Sequence, residues 1–165
     1  MDREGFPTPR YRFDPASGAF RVRYASRSLL GAAREKYRAS GFYIPADHAT
    51  QRLVRLAAVR HLHVFDLRVE QNLDVLNLDD QISTSQDDAV WDTCHHLADA
   101  VRGWWDDLDA IVYRSRTTPA SSTNVAFFGD DAFTVESWLL ADRFDVLADL
   151  VLRHAFTVGW GLPLR

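Results

Sequence analysis

The chain has 165 residues, of which 47% are hydrophobic and 25% charged, a composition typical of one globular domain and not of a disordered chain. No apolar run approaches the ~18–20 residues that a membrane span requires, and the N-terminal MDREGFPTPR lacks the apolar core of a signal peptide. The single cysteine, Cys94, excludes an internal disulfide. We therefore expect a cytoplasmic protein in which residues 1–165 form a single domain.

Charge is distributed unevenly along the chain. Residues 1–60 carry 12 basic and 5 acidic side chains and residues 61–165 carry 7 and 18, which together give the net charge of −4. All the basic residues except Lys36 are arginine, whose planar guanidinium binds phosphate with two donors. An arginine-rich half within an acidic protein favours a small anionic ligand over direct contact with nucleic acid, which would favour a basic domain.

The first predicted elements precede Gly41. Residues 11–13 and 20–25 alternate between polar and apolar side chains around the turn sequence DPASG, which predicts a β-hairpin or two nearby strands. Ser28 has the position of a helix N-cap before LLGAAREKYRAS, and Gly41 has the position of its C-terminal stop. The sequence thus predicts a strand pair followed by a helix.

The middle of the chain has weaker signals. Residues 41–48 and 71–88 have the composition of loops, residues 48–59 are predicted to form a short helix, and residues 61–67 alternate as a strand does. The clearest amphipathic helix covers 87–105, with Gly103 as its terminator. Its apolar face consists of Val90, Trp91, Cys94, Leu97, Ala98 and Val101.

Three strands and a helix are predicted to complete the chain. The strands cover residues 110–113, 124–128 and 133–140, and the helix covers residues 144–156. Helices and strands alternate without a regular βαβ rhythm. The predicted fold class is therefore α+β.

Three residues have patterns that allow either a structural or a chemical interpretation. Glu35 is one of only four glutamates and lies in an apolar stretch of the first helix, although such residues are usually solvated. Arg12 lies between two aromatic residues, where an edge-strand arginine paired with Asp14 is the simpler interpretation. Ser115 follows a strand, where a hydroxyl commonly binds turn amides. Taken one at a time, none of the three identifies a site.

Taken together, these segments resemble the RES family, which is named for an arginine, a glutamate and a serine in that chain order. The resemblance is carried by RFDP, by Tyr24-Ala25 at the end of a strand, by GAAREKY in the first helix, by HLHVFDLR and by IVYRSRTTPASSTNVAFF. Each segment is weak by itself, whereas five in this order and spacing span most of the chain. Arg10 and Arg12 both suit the position of the motif arginine, and we favour Arg12 because Phe-Asp-Pro follows it.

The resemblance implies a fold similar to that of ADP-ribosyltransferases, with two small sheets around a cleft and flanking helices. It also implies a toxin of a type II toxin–antitoxin pair that consumes NAD as its substrate, by hydrolysis, phosphorolysis or ADP-ribose transfer. The expected partner is a helix-turn-helix (Xre-type) antitoxin that blocks the cleft. Neither a resident cofactor nor a metal is implied. The cleft residues carried over by motif are Arg12, Tyr24, Glu35, Ser115 and, less directly, Asn124.

The chemistry of NAD cleavage gives each of these residue types an expected role. Cleavage builds positive charge on the ribose, which the Glu35 carboxylate could stabilise while it orients a hydroxyl or activates the nucleophile. Arg12 would hold the pyrophosphate, Tyr24 would stack on the nicotinamide, and Ser115 would bind nicotinamide or ribose. Arg114 and Arg116 could add phosphate contacts.

Several other patterns compete with this interpretation. Ser83-Thr84-Ser85 imitates an element of arginine-specific ADP-ribosyltransferases, but it lies in a predicted loop without the E-x-E pair that should follow. A metal is suggested by His61, His63, Cys94, His95 and His96, but their spacing does not complete a tetrahedral set. Trp104 and Trp105 cannot both face the core, so one is a candidate interface with an antitoxin or a second copy in a homodimer.

Two other functions remain open at this stage. One is an ADP-ribosyltransferase that modifies a macromolecule, and the other is a non-catalytic module in which the cleft binds a nucleotide or a protein.

Overall fold

The computed structural model describes residues 8–117 and 122–161. Residues 118–121 of the segment IVYRSRTTPASSTNVAFF, and the start of the N-terminal stretch expected to lack a signal-peptide core, lie outside these ranges. The described α-helices are α1 (Leu29–Tyr37), α2 (Glu70–Val75), α3 (Gln81–Thr84), α4 (Asp88–Trp104) and α5 (Phe144–His154). The strands are β1 (Arg23–Ser26), β2 (Tyr43–Ile44), β3 (Arg52–Ala58), β4 (Val64–Asp66), β5 (Ala110–Arg114), β6 (Thr123–Phe127), β7 (Phe133–Leu139) and β8 (Thr157–Val158).

The expected α+β class is confirmed, but the described strands form three small sheets and not the two that the resemblance implies. The largest sheet has the strand order β1-β6-β5-β4, in which β4 and β5 are parallel and the other pairs are antiparallel. The pairs β2–β8 and β3–β7 form the other two sheets. Strands β5 and β6 are almost continuously buried, as expected for central strands covered on both faces.

Helix α4 covers one face of the largest sheet. Its Asp87 N-cap accepts a hydrogen bond from the backbone N–H of Ala89 at 2.8 Å. Its buried face packs against the sheet in a shared apolar core through Cys94, Leu97, Ala98 and Val101. The prediction of an amphipathic helix over 87–105 is therefore confirmed.

Among the described residues, no helix is both long and apolar enough to cross a membrane.

Helix α1 begins as the sequence predicts but ends at Tyr37, where a 3₁₀ turn continues it to the predicted stop at Gly41, and the helix approaches the largest sheet closely. The Ser28 hydroxyl accepts from Gly31 N at 3.0 Å, and Gly41 ends the following 3₁₀ turn with a φ of 65°. A Cβ on Gly31 would lie 2.4 Å from Ser26 Oγ and 2.9 Å from Ser122 Oγ. A larger residue at this position would require these serine hydroxyls to shift. The glycine thus favours the close approach, which places the next turn of the helix, including Glu35, beside the ends of β5 and β6.

The predicted N-terminal hairpin is wrong. Residues 11–14 form a turn in which Asp14 N donates to Tyr11 O at 3.0 Å, and β1 pairs with β6. The Asp14 carboxylate accepts from the N–H groups of Arg10 and Tyr11, both at 2.9 Å. This local side-chain bonding competes with a strand ladder and holds the turn.

The predicted helix over 48–59 is also wrong. A 3₁₀ helix covers Ala46–Thr50, and the remainder is strand β3, which pairs with β7 over seven residues from Arg52 to Ala58. Its leucines and alanines favour a helix locally, but Leu53 and Leu56 pack into two different core clusters as strand residues. Tertiary pairing therefore overrode the local preference.

The stretches predicted as loops contain short regular elements. Residues 71–88 include most of α2 and all of α3, and 41–48 include β2. Asn72 Nδ2 donates to Asp66 O at 2.9 Å and so ties α2 to the end of β4. The structure confirms, with small shifts of their ends, the strands predicted at 110–113, 124–128 and 133–140 and the helix predicted at 144–156. This helix ends at His154, because Ala155 leaves it with a φ of 57°.

Candidate functional site

A cavity of about 540 Å³ lies between the largest sheet, helix α1, the 11–14 turn and the segment from α3 to the start of α4. This volume lies within the ~300–1,000 Å³ typical of small-molecule sites. The sequence-predicted site residues come together here from distant parts of the chain. Those that line the cavity are Arg12, Tyr24, Glu35, Arg114, Arg116 and Asn124, whereas Ser115 lies beside it in contact with Glu35.

The Glu35 carboxylate is held by two neutral donors. Ser115 Oγ donates to Glu35 Oε1 at 2.6 Å, and Asn124 Nδ2 donates to the same oxygen at 2.9 Å. No donor among the described residues engages Oε2, and no ion pair among them includes Glu35. Glu35 is therefore not the solvated glutamate that the local pattern favours, because tertiary contacts fix its Oε1 and leave its Oε2 available.

Ser115 connects the end of β5 to this carboxylate. Its backbone N–H donates to Ser122 O at 3.0 Å, and its hydroxyl accepts from Thr117 N at 3.2 Å. The hydroxyl thus binds a turn amide, as a strand-ending serine commonly does, and also donates to Glu35. Asn124 lies opposite Tyr113 on β6, and its Oδ1 is buried without a hydrogen-bond partner in the described part of the chain.

Arg12 is buried, with 7% of its surface exposed, and it does not pair with Asp14. Its Nη1 donates to Ile82 O at 3.0 Å, its Nη2 donates to Ser85 O, and its guanidinium carbon lies 5.3 Å from the centre of the Trp91 ring. No ion pair within the described ranges includes Arg12. The expected edge-strand pairing fails because the turn uses the Asp14 carboxylate for its own backbone, which leaves the guanidinium charge uncompensated at the cavity wall.

Tyr24 braces the turn that carries Arg12. Its hydroxyl accepts from Phe13 N at 2.8 Å and donates to Asp14 Oδ1 at 3.0 Å. Burial, reinforced by the nearby Asp14 carboxylate, raises the pKa of Tyr24, so its hydroxyl stays protonated. Tyr24 and its partner Asp14 therefore fix the turn, while Tyr24 also lines the cavity.

The cavity is predominantly cationic. Arg10, Lys36, Arg114 and Arg116 are exposed lining residues, and they join the buried Arg12. Glu35 is the one carboxylate among the described lining residues. Both arginines considered for the motif position therefore reach the cavity, but Arg12 is the one whose guanidinium is buried and immobilised.

Comparison with known protein families decides the family of this chain. The sequence matches the family model of the RES domain over residues 2–147. The chain belongs to the RES domain family. No curated protein matches its sequence. RES domains are generally linked to toxin–antitoxin systems and to NAD-related activity.

The family match confirms the resemblance read from the five segments. It covers most of the chain, including every residue of the cavity wall, and ends within α5. That residues 1–165 form one RES domain stays a prediction, as do the individual roles of the site residues.

Sequence reasoning missed several lining residues of this RES domain. The sequence places Trp91 on the apolar face of a helix, Ser83 in a competing motif and Tyr11 in a predicted strand, whereas all three line the cavity. Trp91 lies within the apolar stripe of α4, so its pattern carries no functional signal. Tyr113, by contrast, precedes Arg114 and Ser115 in the matched segment, and that proximity could have identified it.

The candidate metal residues do not gather at this site. Cys94 is buried, its Sγ donates to Ile82 O at 3.3 Å, and burial raises the pKa of its thiol. His63 instead contacts Asp107 at 2.7 Å on the surface. Across residues 8–117 and 122–161, no three or more histidine, cysteine or acidic side chains lie close enough to share a metal ion.

Trp104 and Trp105 lie away from the site, at the end of α4. They are 54% and 44% exposed, and Trp105 stacks on Phe65 with ring centres 5.6 Å apart. Trp105 also lines a second cavity of about 560 Å³ beside β4. Neither ring is buried in the core of this RES domain, which agrees with the expectation that both cannot face it.

Proposed function

We propose that this RES domain binds NAD in the cavity of about 540 Å³ and breaks its nicotinamide–ribose bond, with water or phosphate as acceptor. One observation carries the proposal: the same cavity is lined by a carboxylate with one oxygen free of described donors and by a buried guanidinium that forms no ion pair within the described ranges. The two ionic groups do not neutralise each other. Each is therefore available to a ligand that carries both an anionic and a developing cationic centre.

Arg12 is the proposed binding group for the pyrophosphate. A buried cation without an anionic partner is unfavourable, and a bound phosphate would provide the missing charge. The two backbone carbonyls that hold the guanidinium fix its plane, which favours a directed contact with phosphate oxygens. The exposed Arg10, Arg114 and Arg116 would attract the anion and add contacts as it enters.

Glu35 is the proposed catalytic carboxylate. When the C–N bond breaks, its electron pair leaves with nicotinamide, and positive charge develops on the ribose. The free Oε2 would face that charge or accept a proton from the attacking water or phosphate, whose oxygen forms the new bond to the ribose carbon. A carboxylate already oriented by Ser115 and Asn124 needs little rearrangement to do so.

The neighbouring polar groups support this arrangement. Because the Ser115 hydroxyl already donates to Glu35, we assign it the role of positioning the carboxylate. Asn124 shares that role, and its unpartnered Oδ1 suits an N–H of the nicotinamide amide or a ribose hydroxyl. Tyr24 would contribute its ring to the nicotinamide end of the cavity, since its hydroxyl is engaged by Phe13 and Asp14.

The partner of this protein is proposed from its family. RES domains are generally linked to toxin–antitoxin systems, so we propose a helix-turn-helix antitoxin that covers the cavity. The relationship to the ADP-ribosyltransferase fold, a homodimer and a cytoplasmic location remain predictions of the same kind.

The decisive experiment measures NAD loss and nicotinamide release by the purified protein, with and without phosphate. We expect Glu35→Gln to lower the rate by about 10²-fold or more, by analogy with the loss of one oriented group at other active sites. The matched control is Glu70→Gln, because Glu70 is an exposed acid on α2 that does not line the cavity. Melting temperatures of both variants report whether the fold is intact.

Two results would overturn the proposal. One is a wild-type protein that leaves NAD unchanged under both conditions. The other is a folded Glu35→Gln variant as active as the wild type. Incubation with labelled NAD separates acceptors, because label that appears on protein or nucleic acid would identify a transferase.

A further inference from the structure

One hydroxyl in the cavity wall has no role in the site described above. Ser83 lies on α3, is 2% exposed and lines the cavity. Its Oγ has no hydrogen-bond partner among the described residues. Buried polar atoms are nearly always hydrogen-bonded, so an orphaned hydroxyl at the wall of a ligand-sized cavity requires an explanation.

The adjacent residue shows what a serine or threonine on this helix can do when no ligand is involved. Thr84 Oγ1 donates to the backbone carbonyl of Asp80 at 3.2 Å, the usual bond to the preceding turn. Ser83 does not make this bond. Helix α3 thus contains one satisfied and one unsatisfied hydroxyl in neighbouring positions, and the unsatisfied one belongs to Ser83, which lines the cavity.

The surroundings of Ser83 indicate which part of a ligand it would meet. The carbonyls on either side, Ile82 O and Ser85 O, both accept hydrogen bonds from the Arg12 guanidinium. Residues 82–85 therefore surround the guanidinium of Arg12, which is the proposed binding group for the pyrophosphate. A hydroxyl donor beside an arginine is a common combination for binding phosphate oxygens.

We infer that Ser83 is a further substrate-binding residue, whose Oγ–H donates a hydrogen bond to a phosphate oxygen of the dinucleotide held by Arg12. The inference rests on the proposed function and extends it to a residue outside the segments that carry the family resemblance. It also separates Ser83 from Thr84 and Ser85, since only Ser83 combines burial, an orphaned hydroxyl and a place in the wall.

The test compares Ser83→Ala with Thr84→Ala, which removes the neighbouring hydroxyl outside the cavity. ADP-ribose and nicotinamide serve as separate probes in calorimetric titrations, alongside KM and kcat for NAD. We expect Ser83→Ala to weaken ADP-ribose binding about tenfold, the usual effect of one hydrogen bond to a charged group. We expect nicotinamide binding to stay within twofold of wild type, and Thr84→Ala to leave both affinities unchanged.

Thermal melting distinguishes binding from a structural role. Removal of an orphaned buried hydroxyl should leave the melting temperature unchanged or raise it, so weaker ADP-ribose binding with an undiminished melting temperature supports the inference. If Ser83→Ala does not fold, Ser83→Cys preserves the side-chain size with a weaker donor, and its ADP-ribose affinity should fall in the same direction.

The outcomes also separate this inference from the proposed function. If the wild type consumes NAD and binds ADP-ribose while Ser83→Ala binds it equally well, the role of Ser83 is overturned and the proposed function stands. If both probes weaken equally, a phosphate contact is also overturned. If the wild type neither consumes NAD nor binds ADP-ribose, both proposals fail together.

Discussion

The candidate site and the cavity beside β4 have nearly the same volume, about 540 and 560 Å³, but different chemistry. The first brings Arg12 and Glu35 together without an ion pair to either among the described residues. The second is bordered mainly by apolar side chains such as Phe65, Val75 and Trp105. Volume alone therefore does not identify a binding site. Polar groups that are held in position and left incompletely satisfied are the more informative feature.

Two charged groups that are hydrogen-bonded to lining residues of the second cavity, His63 and Leu108, are satisfied by the protein itself. Asp109 accepts from both terminal nitrogens of Arg60 at 2.7 Å and from His63 N at 2.9 Å. Arg102 donates to the carbonyls of Asp106 and Leu108, at 3.1 and 2.7 Å. Arg12 and Arg102 thus both hold two backbone carbonyls, but only Arg12 lies in the wall of the first cavity.

The largest effect on activity is expected from a lysine substitution at Arg12, for which the same substitution at Arg102 is the control. Lysine keeps the charge but cannot hold two carbonyls in one plane, so Arg12→Lys should lower kcat/KM for NAD by about 10²-fold, comparable with the loss of one oriented donor. Arg102→Lys makes the same chemical change outside the first cavity, and its kcat/KM should stay within twofold of wild type. Steady-state kinetics on both folded variants measures the difference.

An equal effect of these two substitutions would contradict the comparison between the cavities. So would an Arg12→Lys variant that loses stability but keeps full activity, because the guanidinium would then be structural. Melting temperatures measured beside the kinetics distinguish these results.

A smaller effect is expected from Asp109, whose role is to stabilise the fold. The hydrogen bonds from Arg60 lower the pKa of the Asp109 carboxyl, so folding favours its ionised form. This contribution is present above the unfolded carboxyl pKa of about 3.9 and is lost as the pH falls through the lower folded value. Asp109→Asn should therefore lower the free energy of unfolding by about 1–3 kcal/mol at neutral pH.

Urea unfolding between pH 3 and 7 tests this prediction. The difference between Asp109→Asn and wild type should be constant near neutrality and should narrow below about pH 4. A difference that persists unchanged into acid would mean that the loss does not come from the ionised carboxylate.

The smallest effect is expected at the second cavity. Val75 is 84% exposed, so Val75→Ser should change the free energy of unfolding by less than about 0.5 kcal/mol and leave NAD consumption unchanged. Urea unfolding and the NAD assay measure both quantities. A clear loss of NAD consumption would mean that the second cavity takes part in the reaction and that the distinction between the cavities is wrong.

Local sequence signals predicted the elements whose stability is local. Ser28 and Gly41 mark the ends of the α1 region, and the apolar stripe of α4 is strong enough to define that helix by periodicity. The order of the RES segments also identified Glu35 and Ser115 as members of one site. Their hydrogen bond joins residues 80 positions apart, a contact that no local pattern contains.

The failures have a common cause in contacts between distant segments. Strand β3 has a helical composition but gains a full ladder with β7, and Arg12 loses its expected partner because Asp14 binds the backbone of its own turn. The short motif that contains Ser83 lies in a predicted loop and does not by itself indicate a functional residue. Only the structure shows that Ser83 is buried at the cavity wall, which is the reason for proposing that it binds a ligand.

The sequence by itself determined the family, the α+β class, the two best-defined helices and the residue types required for the chemistry. Tertiary structure alone decided which charges of the described residues are neutralised within the protein and which, like that of Arg12, form no ion pair among those residues. The physical reason is that periodicity and capping act within a few residues, whereas burial and hydrogen-bond satisfaction depend on which distant segments meet.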